Sequence, residues 1–400
     1  MKFAEIAEHV GVSTYPKKFD EVYKSGLWKD TEFCSEQLFY KYQEAYDFSG
    51  EFKDVVLKGL NEIKEDEDLY TYGRVMCEYI KTSTSFEARH VPMPPLDETL
   101  KRDVFAALVM LTLFPMCEEL YLSHGYTKAD IKPVLCKVYD SMNGCKNDFG
   151  RPAMTMGQYN WNLIFIYAEM FDHDCFEYQF RAFYGGAIIL KNKNSGEFVP
   201  MMIENTFHRN GLVLGSGGAE DEEGSFDAQY QETDDAYIGN LVYYGRVEKN
   251  TTVCKKSEWE CVLRPDDQVL AVHIPRGTDI SHDKFIKSFQ GGVAFAKKTF
   301  PERKIKFLVC FSWMMDPDLR KLLPPESKLM GFKNAFVSYP LLSTGLEAKH
   351  WVFPGCDCAF SELPEGTSLQ RNLKKMMLGG DFLHYTAGVC TEVLFSKINI

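Results

Sequence analysis

The chain has 400 residues, 45% of them hydrophobic and 14% aromatic, with 30 Phe and 21 Tyr. That composition excludes a disordered chain, and the length points to two domains or one large domain with an extension. A formal net charge of -12 sets a field against nucleic acid or an anionic membrane as the main partner.

The N-terminus, MKFAEIAEHVGV, lacks the basic-then-apolar layout of a secretory signal. The longest apolar stretch, Val104 to Met116, falls short of the ~20 residues of a membrane span and reads as a buried helix. Twelve cysteines occur without a CxxC pair. Cys356 and Cys358 have no second pair or His cluster to complete a zinc site. The expectation is reduced thiols in a cytoplasm, and no metal.

Up to about residue 172 the pattern is helix after helix. Phe33 to Ala45 carries apolar and aromatic residues at helical spacing, and Phe52, Val55, Val56, Leu60 and Ile63 form one stripe between Glu51 and Ile63. Glu67 to Ile80 repeats the pattern. Leu100 to Leu122 follows, with Pro115 expected to kink or restart it. Thr127 caps the next helix, which Asn143-Gly144 should end, and a last helix runs from about Thr155 to Phe171.

After Asp172 the period alternates. Phe176 to Phe183, Ala187 to Lys191 and Phe198 to about Phe207 read as an antiparallel meander, with a turn at Lys193-Asn194-Ser195-Gly196. Leu214 to Asp235 reads as an exposed, mobile loop whose glycines precede no helix and whose acids repel phosphate. Tyr237 to Val247 resumes strand character, Ser257 starts a short helical turn through Leu263, and Pro265-Asp266-Asp267 turns the chain into VLAVHI at 269–274. Ser281 to Phe300 reads as a helix and Ile305 to Trp313 as the next buried strand. A parallel pair with a crossover helix follows if both strands share a sheet. Asp316-Pro317 opens another short helix, Phe332 to Tyr339 and His350 to Phe353 are strand candidates, and a helix from about Ser368 to Leu378 precedes a final apolar segment.

A strand that feeds through a Gly-containing turn into a Ser-capped helix leaves N–H groups that favour an anion. Gly277 lets the backbone come close, and Arg276 offers a charge-assisted contact. The same turn also suits plain capping. His273 titrates in the range for proton transfer, and Glu204 and His208 end a strand that could face it; each has a structural reading beside the functional one. Ser312 alternates onto the face of Leu308 and Cys310, opposite Phe311 and Trp313. Cys310 is either a thiol nucleophile paired with His273 or a small core residue. Asp316 is most simply a helix cap. Thr367 or Ser368 caps the late helix, with Gln370 or Arg371 in reach of a ligand or simply solvated.

The runs HIPRG at 273–277, SHDKFIKSF from Ser281, FPERKIKFLVCFSWMMDPDLRKLLPPES at 300–327 and LPEGTSLQRNLKKMMLGG at 363–380, with FGRPAM at 149–154, resemble a family of bacterial acyltransferases. The resemblance implies an α+β chain, with an all-helical N-terminal domain over 1–172 and a GNAT-like mixed α/β domain with a central twisted sheet over 173–400. It implies acetyl-coenzyme A or another acyl-coenzyme A as co-substrate, a small-molecule or peptide amine as acceptor, and direct attack on the thioester. Val272 and Ile274 would line the pantetheine, and Arg276, Gly277, Thr278 and Ser281 would hold the pyrophosphate. His273 would be the base, Ser312 the polarising group and Glu204 a further catalytic candidate. The superfamily turn with two spaced small residues is reduced here to one Gly, and Pro275 removes an amide donor. A non-catalytic binding module on the same scaffold is the alternative.

Overall fold

The computed structural model describes residues 2–46 and 52–394. The chain divides into two compact units, Met1–Phe171 and Asp172–Ile400. Glu51, where the second apolar stripe was expected to start, and the last six residues of the final apolar segment lie outside the described residues.

The first unit is helical. Its longer helices are Glu36–Tyr46, Lys53–Glu65, Glu67–Lys81, Phe105–Ser123, Lys128–Phe149 and Met156–Ile166. Thr84, Thr127 and Thr155 each start a helix with a reciprocal capping box. Pro115 does not interrupt its helix: Phe105–Ser123 runs through it, and the break falls at Val104 instead. The buried run from Phe105 to Phe114, with Cys117 and Tyr121, outweighs the one backbone bond that proline forfeits. By length and composition this helix could cross a membrane, yet two-thirds of it is buried within the fold. Asn143-Gly144 likewise lies inside a helix, which Gly150 ends.

The strands are β1 (Met170–His173), which spans the division, and, within the second unit, β2 (Phe176–Ala182), β3 (Ala187–Asn192), β4 (Phe198–Met202), β5 (Thr206–Phe207), β6 (Phe226–Asp227), β7 (Tyr230–Glu232), β8 (Ala236–Tyr243), β9 (Arg246–Lys255), β10 (Trp259–Leu263), β11 (Gln268–His273), β12 (Leu308–Ser312), β13 (Phe336–Pro340) and β14 (Thr386–Cys390). One sheet has the order β1-β2-β11-β12-β14-β13, and a second has β10-β3-β4-β8-β7 with β9 on β8. They pack face to face over Ile189, Met202, Val242, Leu263, Val269, Ala271, Val309, Tyr339 and Val389. The helix His282–Thr299 joins β11 to β12 and buries Phe285, Phe289, Val293 and Ala296. Tyr178, on β2, donates its hydroxyl to Ser288 O of that helix.

Several expectations are corrected. β2 and β3 do not pair as a meander: β2 lies beside β11 and β3 beside β4 and β10, in different sheets. Gly185 and Gly186 between them turn the chain from one sheet to the other. After a turn at 256–258, Trp259 to Leu263 form β10 rather than a helical turn, because they pair with β3. His350 to Val352 belong to the helix Glu347–Val352, which Phe353 caps, and Phe332 to a helix that precedes β13. The acidic loop contains β6, β7 and the ordered turn Gly215–Gly218.

Gly245, in the turn between β8 and β9, has φ 67 and a Cβ there would lie 2.9 Å from Pro317 Cδ. Gly245→Ala therefore adds left-handed strain and a clash. We expect a loss of about 1–3 kcal/mol, read from the urea unfolding midpoint; an unchanged midpoint would contradict the close approach.

Candidate active site

β11 and β12 are parallel, with Leu270 opposite Leu308 and Ala271 opposite Val309. Both strands run past this register, to His273 and to Ser312, so their main chains part at one edge of the sheet. On its other side β11 stays in register with β2, Val272 opposite Tyr178 and His273 opposite Glu177. Val272 and Ile274 thus lie beyond the residues through which β11 pairs with β12.

His273 Nε2 lies 3.0 Å from Gln179 Oε1, an acceptor, so this nitrogen carries the ring proton. Loss of solvation, then the Arg181 charge, pushes its pKa down to about 4. The imidazole is neutral throughout the physiological range. Arg181 itself stacks on Tyr184 and Phe311, 4.4 and 5.0 Å from the ring centroids.

Beyond β11, Gly277 takes φ 86, which a side chain would resist. The Thr278 hydroxyl donates to Pro275 O at 2.7 Å and lies 3.3 Å from Cys175 O. Arg276 is exposed. Ser281 caps the helix without a side-chain bond, and its N–H donates to Asp279 Oδ1 at 3.1 Å. Lys284 and Lys328 both pair with that carboxylate at 2.9 Å, and with the Ser281 N–H they hold its pKa well below the usual range. The helix start already has an anion, supplied by the chain itself. Sequence reasoning missed both lysines; Lys328 is 49 residues from Asp279.

The other expected groups do not converge on His273. The register puts His273 with Ala271, Val309 and Phe311 on the face toward the second sheet, and Ser312 with Leu308 and Cys310 on the opposite face. Ser312 Oγ accepts from Met314 N at 3.2 Å, capping a short helical turn. Cys310 cannot pair with His273 for the same reason, and burial pushes its thiol up to about 12. Glu204 lies exposed after β4, against Gly186. His208 is buried and bonded to Asp221 at 3.2 Å, a loop-holding role. Thr367 caps the helix Ser368–Leu378, Gln370 donates to Val352 O and Arg371 to Glu365 O, which accounts for all three structurally.

A second cluster stands where β12 ends. The Asp316 carboxylate is fully buried. It accepts from Asp318 N at 2.9 Å, His384 N at 2.6 Å and His384 Nδ1 at 3.2 Å, and Arg246 lies 3.5 Å away. His384 Nε2 lies 2.8 Å from Gly217 O. Both ring nitrogens therefore face acceptors, which only the protonated imidazole satisfies. Burial alone would lower the pKa of His384, but Asp316 and Gly217 outweigh it and raise the value above 6.5. Burial alone would raise that of Asp316, but His384, Arg246 and two backbone N–H groups hold it below 3.8. Around this pair opens a cleft of about 350 Å³, with Tyr244, Arg246, Arg320, Lys321 and Phe382 in its wall. The sequence showed Asp316 as a cap but gave no sign of His384 or Arg246.

Residues 221–390 match the family model of the GNAT-like C-terminal domain. The chain carries a GNAT-like domain behind a helical unit, and its fold class is α+β. No curated protein sequence matches it. Among solved structures, an acyltransferase mutant in complex with octanoyl-CoA is similar with a TM-score of 0.63 and 11% identity, covering 98% of this chain and 99% of that one. An acyltransferase in complex with decanoyl-CoA and teicoplanin gives 0.62 and 12%, over 98% and 99%. At these identities the likeness is one of fold.

Asp316→Ala strands a buried imidazolium, and we expect a loss of about 3–5 kcal/mol, read by urea unfolding; a loss within the range of a surface substitution would contradict the buried pair. The stability due to His384, whose pKa the fold raises, is complete below 6.5 and falls as pH climbs through the raised value. Asp316, held low, contributes fully above 3.8 and loses its share as pH falls through the lowered value. Thermal midpoints should therefore decline on the alkaline side more steeply in wild type than in His384→Gln; parallel curves would contradict the charged state.

Proposed function

We propose that the protein is an acyl-CoA-dependent N-acyltransferase that passes an acyl group to an amine by direct attack. The parting of β11 from β12, next to the Gly277 turn and the helix His282–Thr299, carries this reading. The fold likeness to acyltransferases with octanoyl-CoA and decanoyl-CoA supports it. The main chain of Val272 to Ile274 would take the pantetheine amides. Arg276 and the Gly277 amide would take the pyrophosphate, with Lys284, Lys328 and the Ser281 N–H turning from Asp279 toward it.

In the reaction the amine nitrogen bonds to the thioester carbon, the C–S bond breaks, and the thiolate leaves and takes up a proton. The nitrogen is most acidic after attack, when it carries the positive charge of the tetrahedral adduct. A neutral imidazole is ready for that proton, and His273 is neutral above about pH 4. The departing sulfur recovers a proton from solvent or from the imidazolium. The rival reading, a binding module without turnover, draws on the Asp279 carboxylate that fills the helix start.

Calorimetric titration with acetyl-CoA and octanoyl-CoA is expected to show binding, weakened at least tenfold in the Lys284→Ala, Lys328→Ala double variant. No binding of either thioester would reject the proposal. With a pool of amines, thiol release should fall by about 10²–10⁴-fold in His273→Ala while acyl-CoA binding stays intact, and should persist in Cys310→Ala. Unchanged turnover in His273→Ala would remove the base.

A further inference from the structure

The cleft over Asp316 and His384 has charges that the fold leaves without partners. Arg246 is committed to Asp318 at 2.8 Å and Lys321 shares that carboxylate at 3.2 Å. Arg320 is exposed and has no carboxylate within ion-pair distance among the described residues; its guanidinium rests by the Tyr244 ring, 5.9 Å from the centroid. Asp381, also in the cleft wall, likewise has no cation within ion-pair distance among the described residues. An unpaired cation and an unpaired carboxylate thus line one cleft without reaching each other.

The walls between them are aromatic. Tyr244 is 78% exposed and holds φ 49, a strained backbone for a bulky residue. That φ, with Gly245 at φ 67, is the backbone of the two-residue hairpin turn between Tyr243 and Arg246, which projects the ring into the cleft wall. Here the next residue, Gly245, is fixed against Pro317. Phe382 supplies a second apolar face. Beneath lies a fixed floor, the Asp316–His384 pair, which ties the Gly217 loop to the end of β12.

Position completes the argument. β11 and β12 are parallel, so His273 and Ser312 end at the same edge of the sheet, and Asp316 follows Ser312 after one short helical turn. The cleft therefore opens at the same end of the sheet at which β11 and β12 finish, beside the start of β14.

We infer that this cleft is the acceptor site and that it takes a zwitterionic amine, an amino acid carrying both a free amine and a carboxylate. This rests on the acyltransferase reading. Arg320, with Lys321 near it, receives the carboxylate; Asp381 draws the ammonium; Tyr244 and Phe382 flank the body of the molecule. Neutral amines lack the group that Arg320 seeks, and simple carboxylic acids lack the group that Asp381 seeks.

The test is calorimetric titration of the full chain with the free L-amino acids and, for each, its amide and its N-acetyl derivative. At least one free amino acid should bind, with affinity at least tenfold above both derivatives. Arg320→Gln should bring the acid down to the level of its amide and leave the amide unaltered. Asp381→Asn should bring it down to the level of the N-acetyl form. No binding by any free amino acid, or an equal loss for acid and amide in Arg320→Gln, would overturn the inference. Octanoyl-CoA titrated into the same samples separates the two readings. Amino-acid binding without octanoyl-CoA binding would remove the acyltransferase, and with it the acceptor role, leaving only an amino-acid site; octanoyl-CoA binding without amino-acid binding would remove the cleft assignment alone.

Discussion

The Asp316 carboxylate is the point on which the functional end of the sheet depends. Removing such a group from water is costly, and only a full set of donors offsets it. The chain provides that set from separate elements: Asp318 on the turn after β12, His384 just before β14, and Arg246 at the start of β9 in the other sheet. His384 extends the set to Gly217 in the glycine-rich loop. One buried charge thereby fixes the end of β12, the start of β14, a hairpin and a loop, and none can shift without leaving a buried group unpaired.

This anchoring bears on the strands beside it. β12 is held at its end by Asp316 and paired with β14, while β11 is held by β2. Each strand is fixed to its outer neighbour, and the released edges face each other. In the proposed function, main-chain groups of β11 beyond its pairing with β12 are what an extended ligand would meet. At the helix start nearby, Asp279 keeps two lysines in place when no other anion is present. In a chain with a formal net charge of -12, such local concentrations of cation are what would draw an anionic ligand inward.

Much of this was legible in the sequence. The β11, helix, β12 unit could be read because an unbroken apolar strand, a Ser cap and a helical stripe each demand one structure and agree with one another. The pairing of β2 was not legible, since an alternating strand looks the same beside its sequence neighbour or beside a strand 90 residues on; only the double glycine at 185–186 hinted at a change of sheet. Trp259 to Leu263 and His350 to Phe353 were misread because short apolar runs fit either period until packing decides. At the site, His273 could be picked by its place on the strand, but its lowered pKa depends on burial first and on the Arg181 charge second. His384 and Asp316 lie 68 residues apart, and nothing local in DFLHYT marks a histidine that must be charged.

The central claim is that an acyl-CoA lies along the parted edge of β11 with its pyrophosphate at the turn and helix start. Backbone amide hydrogen exchange with and without octanoyl-CoA tests it most directly. The account predicts protection concentrated in Val272 to Lys284, with smaller changes in β12. Binding that leaves this segment's exchange unchanged and protects another region would contradict it.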